Sequence, residues 1–444
     1  MSPDGASQRR TAARLEPAAP VPDGTAVVVP NDARQPLPAF AGVGLELEYA
    51  IVDRTTLDVR PHAEALLAAL AGTPASDVVR GAIGWSNELV AHVIELKNVA
   101  PVATLADVPA AFQAAVREAN DRLAARDAML MPTGMHPWMD PRAETVLWSR
   151  DGTEIYTAFD RIFDCRRHGW ANLQSMHVNL PFAGDVEFAR LHAAVRALLP
   201  LVPALAASSP LADGQHQREL DHRLEVYRTH ADTIPEVVGG MIPAPVTSRL
   251  DYDQRVLEPM YRAIASRDPE RTLQHEWLNA RGAIARFDRS AIEIRLCDTQ
   301  ECPRADIAIA AAIVSVARAL FEERWARYEA QRALTTAALA AALRACMRDA
   351  ECARIDDAAL CKVLGVPCPC SAGEAWASLI ERCDDSIAAL DPDAASVLRL
   401  ILAEGPLARR ILAVLQGRTG RAALREVYER LCACLAGGAL FRVA

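Results

Sequence analysis

From Gly42 to about residue 300, stretches in which every second residue is apolar alternate with stretches in which apolar residues recur every three or four positions. The first spacing is that of a strand buried on one side, the second that of a helix with one buried face. Four of the alternating stretches stand apart: Leu45-Glu46-Leu47-Glu48-Tyr49, Val93-Ile94-Glu95-Leu96-Lys97, Met176-His177-Val178-Asn179-Leu180 and Ile292-Glu293-Ile294-Arg295-Leu296. In each, the residues facing away from the apolar side are charged or metal-ligating, so Glu46 pairs with Glu48, Glu95 with Lys97, His177 with Asn179 and Glu293 with Arg295 on a common face. An ordinary solvated strand face favours Thr, Lys and scattered polar residues over repeated Glu.

Helical spacing predicts helices near 62–71, 105–128, 154–168 and 185–207, the second opened by Thr104 and Asp107. Met131-Pro132-Thr133-Gly134-Met135-His136-Pro137-Trp138 is too rich in Pro and Gly for a helix and predicts a loop at a sheet edge. From about 304 to 444 the pattern is nearly all helical, with breaks near 365–369, 391–392, 405–406 and 417. Residues 1 to 38, rich in Ala, Pro, Arg and Asp without periodicity, predict a disordered or loosely attached arm. The expected organisation is thus an arm (1–38), an α+β region that carries the chemistry (39–303) and a helical region packed on it (304–444). Strands separated by helices without a Gly-rich turn favour α+β over a doubly wound parallel sheet.

Composition narrows the function. With 444 residues and 51% hydrophobic content the chain can bury a large core. Its net charge of -9 and pI of about 5.7 argue against a general nucleic-acid binder. No apolar run reaches the roughly 18–20 residues of a membrane span and no apolar signal segment opens the chain, so the expected location is the cytoplasm. The eleven cysteines match no paired Cys-x-x-Cys spacing and predict reduced thiols. Lys97 and Lys362 are the only lysines and neither follows a Gly-rich turn, which excludes a Gly-Lys-Ser/Thr phosphate loop.

Four carboxylates on one sheet face with a histidine among them repel one another unless cations lie between them. Glu46, Glu48, Glu95, Glu293 and His177 are therefore candidate ligands for Mg²⁺ or Mn²⁺, which take hard oxygen donors and accept an imidazole. The blander alternative pairs each Glu with one of the many arginines on a solvated face. Arg281, Arg286, Arg289 and Arg295 fall within fifteen positions around the Glu293 strand and suit bidentate contact with phosphate or carboxylate, or else balance the glutamates. His136 is open between a pocket wall and a rigid turn.

These motifs resemble a known family. Gly44-Leu45-Glu46-Leu47-Glu48-Tyr49, Ile94-Glu95-Leu96, Gly134-Met135-His136-Pro137, His177-Val178-Asn179, the segment 206–210 and Glu293-Ile294-Arg295-Leu296-Cys297-Asp298-Thr299 occur in the order seen in glutamate-cysteine ligase family 2, the carboxylate-amine ligases. The resemblance covers roughly 40–330. It implies a curved antiparallel sheet of glutamine synthetase-like type with helices on its convex face and an extra helical C-terminal region. It further implies metal ligation by Glu46, Glu48, Glu95, His177 and Glu293, with Arg295 at a phosphate-contacting position; the arginine cluster itself places Arg281 and Arg286 beside it at the nucleotide. His177-Val178-Asn179 replaces the more frequent His-Val-His, and the loop after Pro210 lacks the usual aromatic and Gly-Arg elements. The expected activity is ATP- and Mg²⁺- or Mn²⁺-dependent joining of a carboxylate, the γ-carboxylate of glutamate, to cysteine or another amine through an acyl phosphate, with Arg286 and Arg295 steadying the transferred phosphoryl group. The expected partners are small amino acid and amine substrates, with no nucleic acid and no membrane; homo-oligomerisation is left open. The alternatives are a metal-dependent phosphotransferase acting on a small nucleophile and an inactive regulatory homologue.

Overall fold

An eight-stranded antiparallel sheet organises the chain in the computed structural model, which describes residues 36–443. The arm expected over 1–38 lies, up to residue 35, outside the described residues. The strands are β1 (Gly44–Asp53), β2 (Asp77–Arg80), β3 (Ile83–Asn87), β4 (Val93–Asn98), β5 (Ala128–Met131), β6 (Ser175–Pro181), β7 (Ala283–Arg286) and β8 (Ala291–Asp298). They run in the order β2-β3-β4-β1-β6-β8-β7, with β5 paired to the far end of β1 beyond β6.

The register brings the alternating residues onto one face. Glu46 lies opposite Lys97 on one side and His177 on the other, Glu48 opposite Glu95, Glu95 opposite Ser86, and Glu293 opposite Asn179. The other face carries Leu45, Leu47, Ile94, Leu96, Met176, Val178, Ile292 and Ile294, all buried in one apolar cluster. At about 1.5–3 kcal/mol for each fully buried side chain of this size, that face holds the sheet to its helices and leaves the polar face without a packing duty.

Helices Val108–Ala124 and Gly184–Leu198 pack against the helix Pro303–Phe321, which also meets the sheet at β6. Pro303–Phe321 is apolar over most of its surface and buried along almost its whole length, as a core helix must be. Its remaining surface is covered by Asp384–Leu390 and Ala394–Glu404 from the C-terminal region, so one cluster extends from Val43 to Leu435. Among the described residues no helix is long and apolar enough to cross a membrane.

The polar face changes character along β1. Ala50 and Val52 continue the row of Glu46 and Glu48, and together with Met131 they are buried under the last two helices, Leu407–Leu415 and Arg421–Gly437. A buried ion pair fastens this cover: Arg410 Nη1 donates to Glu301 Oε1 at 2.6 Å and to the Phe441 carbonyl at 2.5 Å.

Several local expectations shift. The helix expected over 185–207 ends at Leu198 and continues as short turns through Leu199–Leu201 and Pro203–Ala206, because Pro200 and Pro203 supply no backbone N–H. The helix over 154–168 stops at Phe163, where Asp164 takes a left-handed conformation. The end of the 105–128 segment is instead the start of β5. The hairpin β2-β3 and strand β7 carry too little alternation to read as strands. In the C-terminal region the helices are joined by a two-stranded ribbon, Arg354–Ile355 with Cys370–Ser371.

Candidate active site

Four neighbouring strands deliver the acidic cluster. Two donor sets form, each with its ligand atoms within 4.8 Å of one another: Glu46, Glu95 and His177, and Glu48, Glu88 and Glu95. Glu95 belongs to both, so the two sets share a carboxylate. Glu88, just past the end of β3, did not enter the sequence-based candidates. The signal was present, since Gly84, Ser86 and Glu88 are spaced by two and share the face of Glu95.

Hydrogen bonds orient these ligands. His177 Nδ1 meets Glu46 Oε2 at 2.8 Å and its Nε2 meets Ser175 Oγ at 2.9 Å. Ser175 also donates its backbone N–H and its hydroxyl to Glu48 Oε2, at 2.7 and 2.9 Å. Ser86 Oγ and Lys97 Nζ donate to Glu95 Oε1 at 2.7 and 2.9 Å. Asn179 Nδ2 donates to Glu46 Oε1 at 3.2 Å.

Charge is unevenly balanced. Burial, with Glu95 alongside, pushes the Glu48 carboxyl above its usual range despite His177. Burial and the charges of Glu48 and Glu95 push Glu88 up still further. Burial opposes ionisation of Glu46, but its hydrogen bond to His177 and the charges of His177 and Lys97 together outweigh that and hold it below the ordinary carboxylate range. Burial would lower the His177 imidazolium, yet the bond to Glu46 and the charges of Glu48 and Glu293 raise it. Crowded carboxylates driven toward protonation are what a divalent cation would relieve, and oxygen donors with one imidazole suit Mg²⁺ or Mn²⁺. The residues fit such ions.

The arginines divide. Arg295 Nε lies 3.0 Å from Glu293 Oε1, and Arg286 Nη1 lies 3.4 Å from Glu293 Oε2. Glu293 is thus on the face, with Oε1 3.8 Å from His177 Nδ1, but it sits among arginines and belongs to neither donor set. Arg286 also bonds to Asp288. Arg289 is half-exposed, 4.0 Å from Glu46 Oε1. Arg281 is not brought to this face: its Nη1 donates to Asn279 Oδ1 at 2.8 Å, and its guanidinium packs against Gly239 where a Cβ would collide with it.

The remaining motifs meet in a buried network. Asp298 accepts from Ser208 N and Ser209 Oγ, both at 2.7 Å, and is bonded to Arg223 Nε. A Cβ on Gly134 would come 2.4 Å from the Asp298 carboxyl carbon, so only glycine fits there. Ser208 Oγ receives the Gly134 N–H at 2.8 Å, and Thr299 Oγ1 donates to the Glu48 carbonyl at 3.1 Å. His136 is part of the adjoining turn. Its Nε2 bonds the Leu57 carbonyl at 2.7 Å, and burial lowers its pKa to about 4.

Beside Glu48 and Glu88 opens a cavity of about 220 Å³ whose walls include Tyr156, Phe159, Trp170, Tyr227 and Trp277 together with His177, Arg223 and Arg295. Tyr227 hydroxyl accepts from Arg295 Nη1 at 3.4 Å.

The protein is thus an open antiparallel sheet with helices packed on one face and with adjoining acidic donor sets and arginines on the other. The chain belongs to the glutamate-cysteine ligase family 2, which it matches over residues 42–430. It is 35% identical over 283 residues to an uncharacterized protein of Archaeoglobus fulgidus, an alignment covering 63% of this chain and 75% of that protein. It is 31% identical over 191 residues to a protein of Rubrobacter xylanophilus provisionally named glutamate-cysteine ligase 2-3, covering 42% of this chain and 48% of that one. The chain thus spans about half the length of that relative. Its fold is similar to that of a glutamate-cysteine ligase from Francisella tularensis solved in complex with AMP, with a TM-score of 0.60 at 10% identity over 89% of this chain and 88% of that chain.

Proposed function

We propose that the protein is an ATP-dependent carboxylate-amine ligase that joins the γ-carboxylate of glutamate to cysteine or another amine. The observation that carries this reading is the pair of donor sets sharing Glu95, with Arg286 and Arg295 on the same face. Two adjoining cations would neutralise the charge that develops on transferring phosphate oxygens. Glu46, Glu48, Glu88, Glu95 and His177 would hold them. Arg286 and Arg295, released in part from Glu293, and the exposed Arg289 would grip the polyphosphate, for which a planar guanidinium is suited.

In this reading a carboxylate oxygen of the acid bonds to the terminal phosphorus of ATP as ADP departs. The amine nitrogen then attacks the acyl carbon, the acyl–oxygen bond breaks, inorganic phosphate leaves and the nitrogen loses a proton. Residues 39–303 carry the chemistry on a sheet whose glutamine synthetase-like curvature wraps the site, and 304–444 support it. Cytoplasmic residence accords with the free cysteines found throughout the described chain.

The test is phosphate release from ATP with Mg²⁺ and glutamate across a panel of amines, with mass spectrometry of the product. Amide formation dependent on both acid and amine is expected, and Glu95→Gln should lower kcat by about 10²–10³-fold, as for other lost electrostatic stabilisers. Phosphorylated product without an amine would make the protein a phosphotransferase. ATP binding with no turnover for any pair would make it regulatory.

A further inference from the structure

The cavity beside Glu48 has one wall unlike the charged sheet face that forms the rest of it. Aromatic residues make up 5% of the chain, yet five of them line this one space. They are held rather than loose. Trp170 Nε1 donates to the His230 carbonyl at 2.9 Å, Asn87 Nδ2 donates to the Tyr156 hydroxyl at 3.0 Å, and Phe159 packs against Trp170 and Trp277 with ring centroids 5.2 and 5.7 Å apart. Tyr156, Trp170 and Trp277 nonetheless remain only half-buried.

We propose that this cavity selects an acceptor amine with a flat or bulky apolar body, in preference to cysteine; the inference rests on the ligase reading above. The cavity has two sides: the aromatic rings form one wall, while Glu48, Glu88, His177, Arg223 and Arg295 form the polar side toward the cation sites. An amine whose nitrogen points to those carboxylates places its body among the rings. A phenyl-sized body gains from area removed from water and from ring-to-ring contact, whereas the two heavy atoms of a cysteine side chain would leave most of that wall in water. The nucleotide has another way in. Arg286, Arg289 and Asn179 lie on the Glu46 and Glu293 side of the donor sets, and Arg289 is open to solvent there.

Calorimetric titration of the full chain with 2-phenylethylamine, cysteine and ATP tests this. 2-Phenylethylamine should bind at least about tenfold tighter than cysteine. Trp277→Ala, at a half-buried position in a surface turn, should lose at least about tenfold for 2-phenylethylamine, and Trp277→Phe should restore most of it. In turnover, the kcat/KM preference for 2-phenylethylamine over cysteine should fall by a similar factor in Trp277→Ala, with an unchanged thermal midpoint showing that the fold is kept. Equal or tighter binding of cysteine overturns the proposal. So does undiminished 2-phenylethylamine binding in Trp277→Ala, or its displacement by ATP without Mg²⁺, which would put adenine among the rings. If no acid and amine pair consumes ATP while 2-phenylethylamine still binds and Trp277→Ala still weakens it, the ligase reading fails and the pocket assignment survives.

Discussion

Replacing Arg223 by Met tests whether the network around Asp298 holds the site together. Both partners are buried, with side-chain exposures of 2% for Arg223 and 0% for Asp298. Removing one member of a buried ion pair costs about 3–5 kcal/mol, because the other charge is left without its counter-ion. Here the remaining carboxylate keeps two short donors, Ser208 N and Ser209 Oγ, and hydrogen bonds to a charged group contribute about 1.5–3 kcal/mol each. The expected loss is therefore at the low end, about 3 kcal/mol. Asp221 adds to that relief, since burial and the Asp298 charge push its carboxyl well above the usual range, and in its protonated form it donates to Asp298. In Arg223→Met/Asp298→Asn the orphaned charge is gone, and the double variant should be more stable than Arg223→Met by at least about 1 kcal/mol, a coupling visible in a double-mutant cycle. Urea unfolding followed by tryptophan fluorescence measures both quantities. A loss below about 1 kcal/mol in the single variant, or simple additivity in the double, would refute the argument that this pair is an electrostatic hub.

Gly134→Ala should lower unfolding stability by about 1–3 kcal/mol, the usual cost of overpacking, because the new methyl meets the Asp298 carboxylate; a thermal melt detects it. Ser175→Ala removes the hydroxyl that bridges Glu48 and His177, and Mn²⁺ affinity measured by competition with a chelator should fall about 10–100-fold, as when other outer-shell partners are lost. His136 carries a pH signature. It is neutral when folded, with a pKa of about 4, but takes up a proton near 6.5 when unfolded, so it destabilises the fold progressively as pH falls from 6.5 toward 4. The stability of the native chain relative to His136→Gln should accordingly decline by about 1.4 kcal/mol per pH unit across that window and stay flat above it, as urea titrations at pH 7.5, 6 and 5 would show.

The parts of the site legible in the sequence are those written in strand periodicity. Glu46, Glu48, Glu95 and His177 each sit in an unbroken alternation, and the structure gathers them because two-residue spacing survives any detail of sheet geometry. Glu88 escaped because β3 reads Ile-Gly-Trp-Ser-Asn, with glycine and serine where a charge would have marked the face. Arg281 and Arg286 are close in sequence, yet five positions along extended backbone put the two on opposite sides, so strand parity separates them. Asp298 could be seen as part of a motif but not as a hub, since its partners come from loops whose approach depends on tertiary packing.

The cover over Ala50, Val52 and Met131 sets an order of events during synthesis. All eight strands of the sheet are made by residue 298, but this apolar end of the sheet is sealed only when the helices Leu407–Leu415 and Arg421–Gly437 emerge from the ribosome. At about 5–20 residues per second the nascent sheet therefore carries a sticky, unfinished patch for several seconds or more. Arg410, arriving late to find Glu301 already in place, is the latch that ends this exposure.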